Sequence, residues 1–300
     1  MNYSQGSEWR KWDLHVHTPA SIYHNYPGTE SQAWEAFLTD LEALPLEFKV
    51  IGINDYLFLD GYKRVLAERA KGRLANIDLI LPVIELRLDK FVGHDSHFQR
   101  VNFHVIFDAI DPDIIETQFI NLLPRDFQLL PTHDALRGRW SAVPTRKTLT
   151  DLGQLIIDAA PAEQKAKYGQ PLHEGFSNFN VTLDNVQKAL NSTYFQGRYL
   201  TAVGKTEWDA IKWGDASIAE KRNVIHNADI VFTAAETVAA FHSARDALIQ
   251  ANVNSRLLDC SDGHDLSSAA VKDRIGNCFT WIKADTTFAG LQHAIKEYTK

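Results

Sequence analysis

His15 and His17 stand two residues apart in the stretch Asp13-Leu14-His15-Val16-His17-Thr18-Pro19-Ala20-Ser21. In an extended strand side chains alternate with period two, so both imidazoles leave one face and form a pincer. An isolated His-x-His is more often an exposed strand face, but this one has company. Glu85, His104, Asp262 and His264 each lie in or at the end of a later apolar, β-like run. Imidazole and carboxylate donors with little thiol suit zinc, manganese or iron better than magnesium or calcium, which favour oxygen shells. A carboxylate such as Glu85 can bridge two cations. Cations about 3.5–4 Å apart can hold a hydroxide and neutralise a phosphate ester as its bonds exchange. The chemistry expected is hydrolysis at two or three divalent ions, without a protein nucleophile.

The elements that must deliver these residues follow a strand, loop, helix rhythm. Trp34, Phe37, Leu38, Leu41 and Leu44 predict an amphipathic helix over 30–44, capped by Thr29 or Ser31. A short apolar run over 49–56 ends in Asn54-Asp55-Tyr56, and helical spacing returns over 61–75. Strands are expected over 77–86, carrying Glu85, and 101–107, carrying His104. From 108 to about 195 the rhythm breaks into helical segments near 114–123, 149–160 and 181–190, read as a mainly helical insertion after the fourth strand. Strands over 198–205, 229–234, 255–260 and 277–283 follow, with helices over 236–250 and 287–298. This alternation predicts a parallel α/β architecture. Seven strands before Phe279-Thr280-Trp281 favour a closed barrel, with functional residues at the strands' C-terminal ends. A single domain over 1–300 is expected at this length.

With 45% hydrophobic residues the chain can bury a large core. A net charge of −7 argues against a uniformly basic nucleic-acid surface, yet leaves room for phosphate at a local metal site. Within the locally basic stretch 125–147, Arg137, Arg139, Arg146 and Lys147 read as a solvated loop ahead of a phosphate contact. Cys260 and Cys278 fall in apolar runs without a Cys-x-x-Cys spacing, so buried reduced thiols and a cytoplasmic location are expected. No secretory leader and no apolar run of about 20 residues are visible, so no membrane partner is expected. Gly-x-Gly-x-x-Gly, P-loop and Gly-x-Ser-x-Gly motifs are absent from the sequence.

The order His15-x-His17, Asn54-Asp55-Tyr56, Glu85, His104 and Ser261-Asp262-Gly263-His264 resembles the PHP (polymerase and histidinol phosphatase) superfamily of metal-dependent phosphoesterases. The stretches Trp9 to Ser21 and Phe279-Thr280-Trp281-Ile282-Lys283-Ala284 are similar to the PHP domains that precede an ATPase domain in TrlF-like bacterial proteins. The resemblance covers nearly the whole chain apart from the insertion. It implies a distorted (β/α)7 barrel in which His15, His17, Glu85 and Asp262 hold one metal, Glu85 and His104 a second, and His24 and His264 face a third. The chain departs from that pattern twice. Tyr56 stands where the family commonly has a histidine, and Glu207 is the nearest ligand where a histidine commonly ends the fifth strand. A phenol with an ordinary pKa of about 10 is a poor ligand, so the third position is expected to be weak or empty. Asp55 is expected to orient a ligand histidine.

His264 is further expected to serve as proton donor, and Lys205 to stabilise a phosphoryl oxygen or merely to end its strand in solvent. Trp208 and Trp213 read as core or as a base-stacking surface. His94, His97, His133, His173, His226, His242 and His293 are not expected to be ligands. The resemblance implies a nucleotide or nucleic-acid phosphodiester as substrate, a nuclease role in defence against phage or mobile DNA, and an ATPase domain or protein partner beyond Lys300. Its alternatives are a non-catalytic scaffold of the same fold and a phosphomonoesterase of the histidinol-phosphatase type. A metal-dependent amidohydrolase ranks below these, since only Lys205 suits a carbamylated lysine.

Overall fold

Strand β1 (Trp9–Val16) is buried from Trp12 onward, and its neighbours are apolar runs of the same kind. The computed structural model describes residues 8–94, 97–123, 126–128, 139–141, 143–204 and 218–298. Helix α1 (Glu30–Glu42) starts at a capping box in which Thr29 and Gln32 satisfy each other's backbone amides. It buries Trp34, Phe37, Leu38 and Leu41. Strand β2 (Phe48–Asn54) follows, then α2 (Asp60–Ala70), which stops short of the expected 75 because Gly72 takes a left-handed φ of 98°.

The next two strands depart from a parallel plan. β3 (Leu79–His94) and β4 (His97–Phe107) pair antiparallel from Val83↔Ile106 out to His94↔His97. The link between them is far too short for the crossover helix that a parallel pair requires. After β4 come α3 (Pro112–Gln118), the hairpin strands β5 (Asp126–Gln128) and β6 (Arg139–Ser141), α4 (Arg146–Ala159), α5 (Pro171–Asn178), the short strand β7 (Asn180–Val181) and α6 (Leu183–Leu190). This stretch is helical in the main, but β7 joins the principal sheet by pairing with Arg87 and Leu88 of β3. The rhythm then resumes with β8 (Tyr199–Gly204), α7 (Ile218–Asn227), β9 (Ile230–Thr233), α8 (Val238–Gln250), β10 (Leu257–Asp259), β11 (Trp281–Lys283) and α9 (Phe288–Lys296).

The principal sheet runs β10-β9-β8-β4-β3-β2-β1-β11 and is mixed. β1, β2 and β3 are parallel, as are β8, β9 and β10, while β4 opposes both its neighbours and β11 opposes β1. The sheet is curled. Beyond β10, Gly263 bridges in parallel to Val16: its amide donates to the His15 carbonyl at 3.2 Å, and the His17 amide donates to the Gly263 carbonyl at 2.9 Å. Trp12, Leu14, Val83, Ile106, Ala202, Phe232 and Cys260 pack together on the inner face, with Leu291 of α9 among them. Full burial of each large apolar side chain is worth roughly 1.5–3 kcal/mol.

One irregularity sets the direction of the histidine pair. Asp13 pairs with Ile51 and Val16 with Ile53, so three steps along β1 match two along β2. The extra residue is a β-bulge at Leu14 and His15, and it switches which alternate residues face inward. Trp12 and Leu14 point into the inner cluster before it, and His15 points there after it, against the Phe232 ring at 5.9 Å. Gly52 lies opposite the bulge, and a Cβ there would sit 2.6 Å from the Leu14 carbonyl oxygen. Gly52→Ala must therefore displace the bulge. The expected outcome is destabilisation of about 1–3 kcal/mol, seen in denaturant melts, together with weaker metal binding by titration; unchanged values for both would refute the bulge's role.

Candidate metal centre

Three strands and one loop deliver the donors. His15 and His17 come from the bulged end of β1, Glu85 from β3, its register partner His104 from β4, and Asp262 from the turn after β10. His15, His17, Glu85 and His104 are all buried. The His15 Nε2 lies 3.1 Å from His17 Nε2, 3.4 Å from Glu85 Oε2 and 3.2 Å from Asp262 Oδ1. His17 Nε2 is 3.5 Å from Asp262 Oδ1, and His104 Nε2 is 3.3 Å from Glu85 Oε2. Two groups able to hold a metal ion result: His15, His17 and Asp262, and His15, Glu85 and His104. Tetrahedral zinc with bonds near 2.0–2.1 Å spaces its ligand atoms by about 3.3 Å, which matches these separations. Both nitrogens of His104 are buried without a hydrogen bond, although one of them faces a carboxylate. Such an orphaned imidazole fits a ligand better than a packed core histidine. His15 Nε2 has one lone pair, so a pair of ions would share Glu85 and leave His15 to one of them.

Protonation fills the role of a cation when none is bound. Burial alone would lower the proton affinity of His15, but Asp262 and Glu85 flank it and raise its pKa to about 9. His17 goes the other way, down to about 3, through burial and the neighbouring His264. A neutral His17 accepting at Nε2 must carry its proton on Nδ1, which donates to Ser21 Oγ at 3.0 Å. Burial disfavours the charge on Glu85 and on Asp262, yet the imidazoles beside them hold both carboxyls below their usual range. Asn54, which the sequence reading passed over, donates from Nδ2 to Glu85 Oε2 at 2.9 Å and orients the carboxylate between the two histidines. Its signal was its place two residues before Tyr56 at a strand end.

Tyr56 faces His264, the residue expected at the third position. Its hydroxyl lies 3.1 Å from His264 Nε2, and His264 Nδ1 lies 2.7 Å from the Asp262 carbonyl. A carbonyl only accepts, so Nδ1 carries the proton and Nε2 accepts from the phenol. Burial, with Glu85 and Asp262 nearby, raises the Tyr56 pKa and keeps it a phenol. His264 stacks on His17 with ring centroids 3.8 Å apart. Tyr56 and Asp262 both adopt left-handed backbone, φ 59° and 51°, a conformation that costs free energy away from glycine. Asp55 does not orient a histidine: its two oxygens accept from the Thr18 amide and hydroxyl, both at 2.8 Å, fixing the chain just past His17. The insertion supplies a wall to the site. Phe176 of α5 lies 4.9 Å from the Tyr56 ring, and His173 lies 4.4 Å from Tyr23.

Of the residues expected to act, His15, His17, Glu85, His104, Asp262 and His264 come together. His24 does not join either donor group; it is exposed, stacks on Tyr26, and its pKa is lowered by partial burial and by nearby His264. Lys205, Glu207, Trp208, Trp213 and His133 lie outside the described residues. Arg146 pairs with Asp60 and Lys147 with Asp151, beside a cavity of about 480 Å³, so each has a carboxylate partner on the surface. Cys260 and Cys278 are free and buried. Among the described residues no helix is long and apolar enough to cross a membrane. No protein-family model matches this chain, and no curated protein matches it.

Proton and metal must compete at this cluster. The folded His15 pKa of about 9 lies above the unfolded 6.5. Its stabilisation is therefore complete below pH 6.5 and is lost as pH rises through 9. The depressed His17 counts only near and below its unfolded pKa. The metal-free chain is expected to melt at lower temperature as pH goes from 7 to 8.5, while metal affinity rises about tenfold per pH unit over that range. A flat melting profile measured in chelator would overturn this protonation scheme.

Proposed function

We propose that this chain is a metal-dependent phosphoesterase of the PHP type, acting on a nucleotide or nucleic-acid phosphodiester. The observation that carries the reading is the buried set of His15, His17, Glu85 and His104 with the half-buried Asp262, their donors spaced for a cation and His104 otherwise unpartnered. The sheet that curls until Gly263 meets β1 supports a distorted (β/α)7 barrel as its frame. His15, His17 and Asp262 would hold one divalent ion and His104 a second, with Glu85 between them. Zinc, manganese and iron fit this donor chemistry. Such ions supply positive charge that acidifies a water and neutralises the ester oxygens.

The chain's own residues then perform three tasks. Asn54 and Ser21 fix the orientation of Glu85 and His17. The apolar floor of Leu14, Val83, Ile106 and Phe232 keeps water from beneath the cluster. Tyr56 and His264 hold a proton at the edge of the cluster, where it can reach a leaving oxygen. With Tyr56 on His264 the reading is a two-ion site.

The deciding experiment is the metal content of the purified chain, paired with hydrolysis of bis-(p-nitrophenyl) phosphate and p-nitrophenyl phosphate. Two ions per chain and faster turnover of the diester are expected, with background rates for His15→Ala/His17→Ala. Asp262→Asn should lower metal affinity by more than the ~10–100-fold typical of groups that only orient a ligand, while leaving circular dichroism unchanged. No bound metal and no turnover after adding manganese or zinc would sink the enzyme in favour of a scaffold.

A further inference from the structure

Arg87 lies two residues beyond Glu85 on β3, and its register partner Asn102 lies two residues before His104 on β4. Side chains two apart share a face, so this pair forms the next tier on the metal-bearing face, about 7 Å further along the strands. The Arg87 Nη1 donates to Asn102 Oδ1 at 3.0 Å, and the guanidinium carbon lies 4.9 Å from the centroid of the Phe176 ring. Phe176 is the same ring that touches Tyr56, which places the guanidinium beside the centre. The planar group is thus held from two sides before any ligand arrives. Among the described residues, its Nε is buried without a hydrogen-bond partner and no carboxylate pairs with the guanidinium. The backbone partner of Arg87 on β7, Asn180, likewise has a buried Oδ1 without a partner. A partly buried, preorganised guanidinium with a spare donor is a receptor for a planar or tetrahedral oxyanion.

Building on the phosphoesterase reading, we propose that Arg87 anchors a second phosphate of the substrate, one linkage from the phosphate that reacts. The spacing of about 7 Å between tiers suits successive phosphates of a nucleotide chain. The substrate is therefore an oligonucleotide or another molecule with two phosphates, rather than the phosphate ester of a neutral alcohol. The insertion takes part in this choice, because α5 supplies the ring on which the guanidinium rests and β7 pairs with the strand that carries it.

The test measures equilibrium binding and, separately, hydrolysis by the manganese-loaded full chain for three probes: TpT, pTpT and TpTp. Binding of pTpT or TpTp at least tenfold tighter than TpT is expected, with the ratio collapsing toward one in Arg87→Met and partly kept in Arg87→Lys. Melting curves of both variants show whether they fold, and the lysine variant decides the matter should the methionine variant unfold. Equal binding of all three probes by the wild-type chain, or an unchanged ratio in Arg87→Met, overturns the anchor. A retained binding ratio without cleavage of any probe upholds the anchor and removes the phosphoesterase reading instead.

Discussion

Two carboxylates inside a curled sheet are the constraint that the rest of the structure answers. Glu85 is buried, Asp262 is half-buried beside it, and among the described residues neither forms an ion pair with a lysine or arginine. An uncompensated charge of this kind would neutralise itself or unfold its surroundings. The chain avoids both by surrounding the acids with imidazoles, groups that can carry a proton or give up a lone pair. This makes the cluster stable enough to fold while leaving it electrically suited to a cation. The bulge at Leu14 and His15 is the geometric counterpart of that solution. It allows one strand to give apolar side chains to the floor and ligand side chains to the layer above it.

Support for the cluster comes from residues that contribute no ligand. Asp55 ties Thr18 down by two hydrogen bonds immediately after His17, and α2 approaches so closely that a Cβ at Gly61 would meet the Asp55 carboxylate at 1.8 Å. Tyr26 donates to the His17 carbonyl at 2.7 Å. Asp259 receives the amides of Ala235 and Phe279, pinning the loops after β9 and before β11, and burial raises its pKa to about 6. The ligand-bearing strand ends are held by buried polar contacts on several sides, as a site requires if its donors are to wait in position.

The donor set was legible because each member lies in or just after an apolar, strand-like run, a pattern that survives small errors in element boundaries. His15, His17, Glu85, His104 and Asp262 all follow from that rule. The sheet was less legible: β3 and β4 each look like strands of a parallel unit, and only the shortness of the turn between them dictates a hairpin. The bulge left no mark except Gly52, whose missing side chain has meaning only when Leu14 is opposite. His24 was implied by the resemblance alone, and the direction of its loop decided where its ring went. Tyr56 was visible as a departure from pattern, whereas its hydrogen bond to His264 depended on two left-handed residues, a property that local sequence signals weakly for a tyrosine.

The backbone at Asp262 narrows what evolution or design can place there. A left-handed residue tolerates glycine, asparagine and aspartate far more readily than longer or branched side chains, and the same position must offer an oxygen within 3.2 Å of His15. Glycine meets the first demand and fails the second. Glutamate carries the right charge on the wrong reach and the wrong backbone preference. The usual assumption that the two acids are interchangeable therefore breaks down at this turn, where aspartate is selected twice, once by the chain's own conformation and once by the company its oxygen keeps.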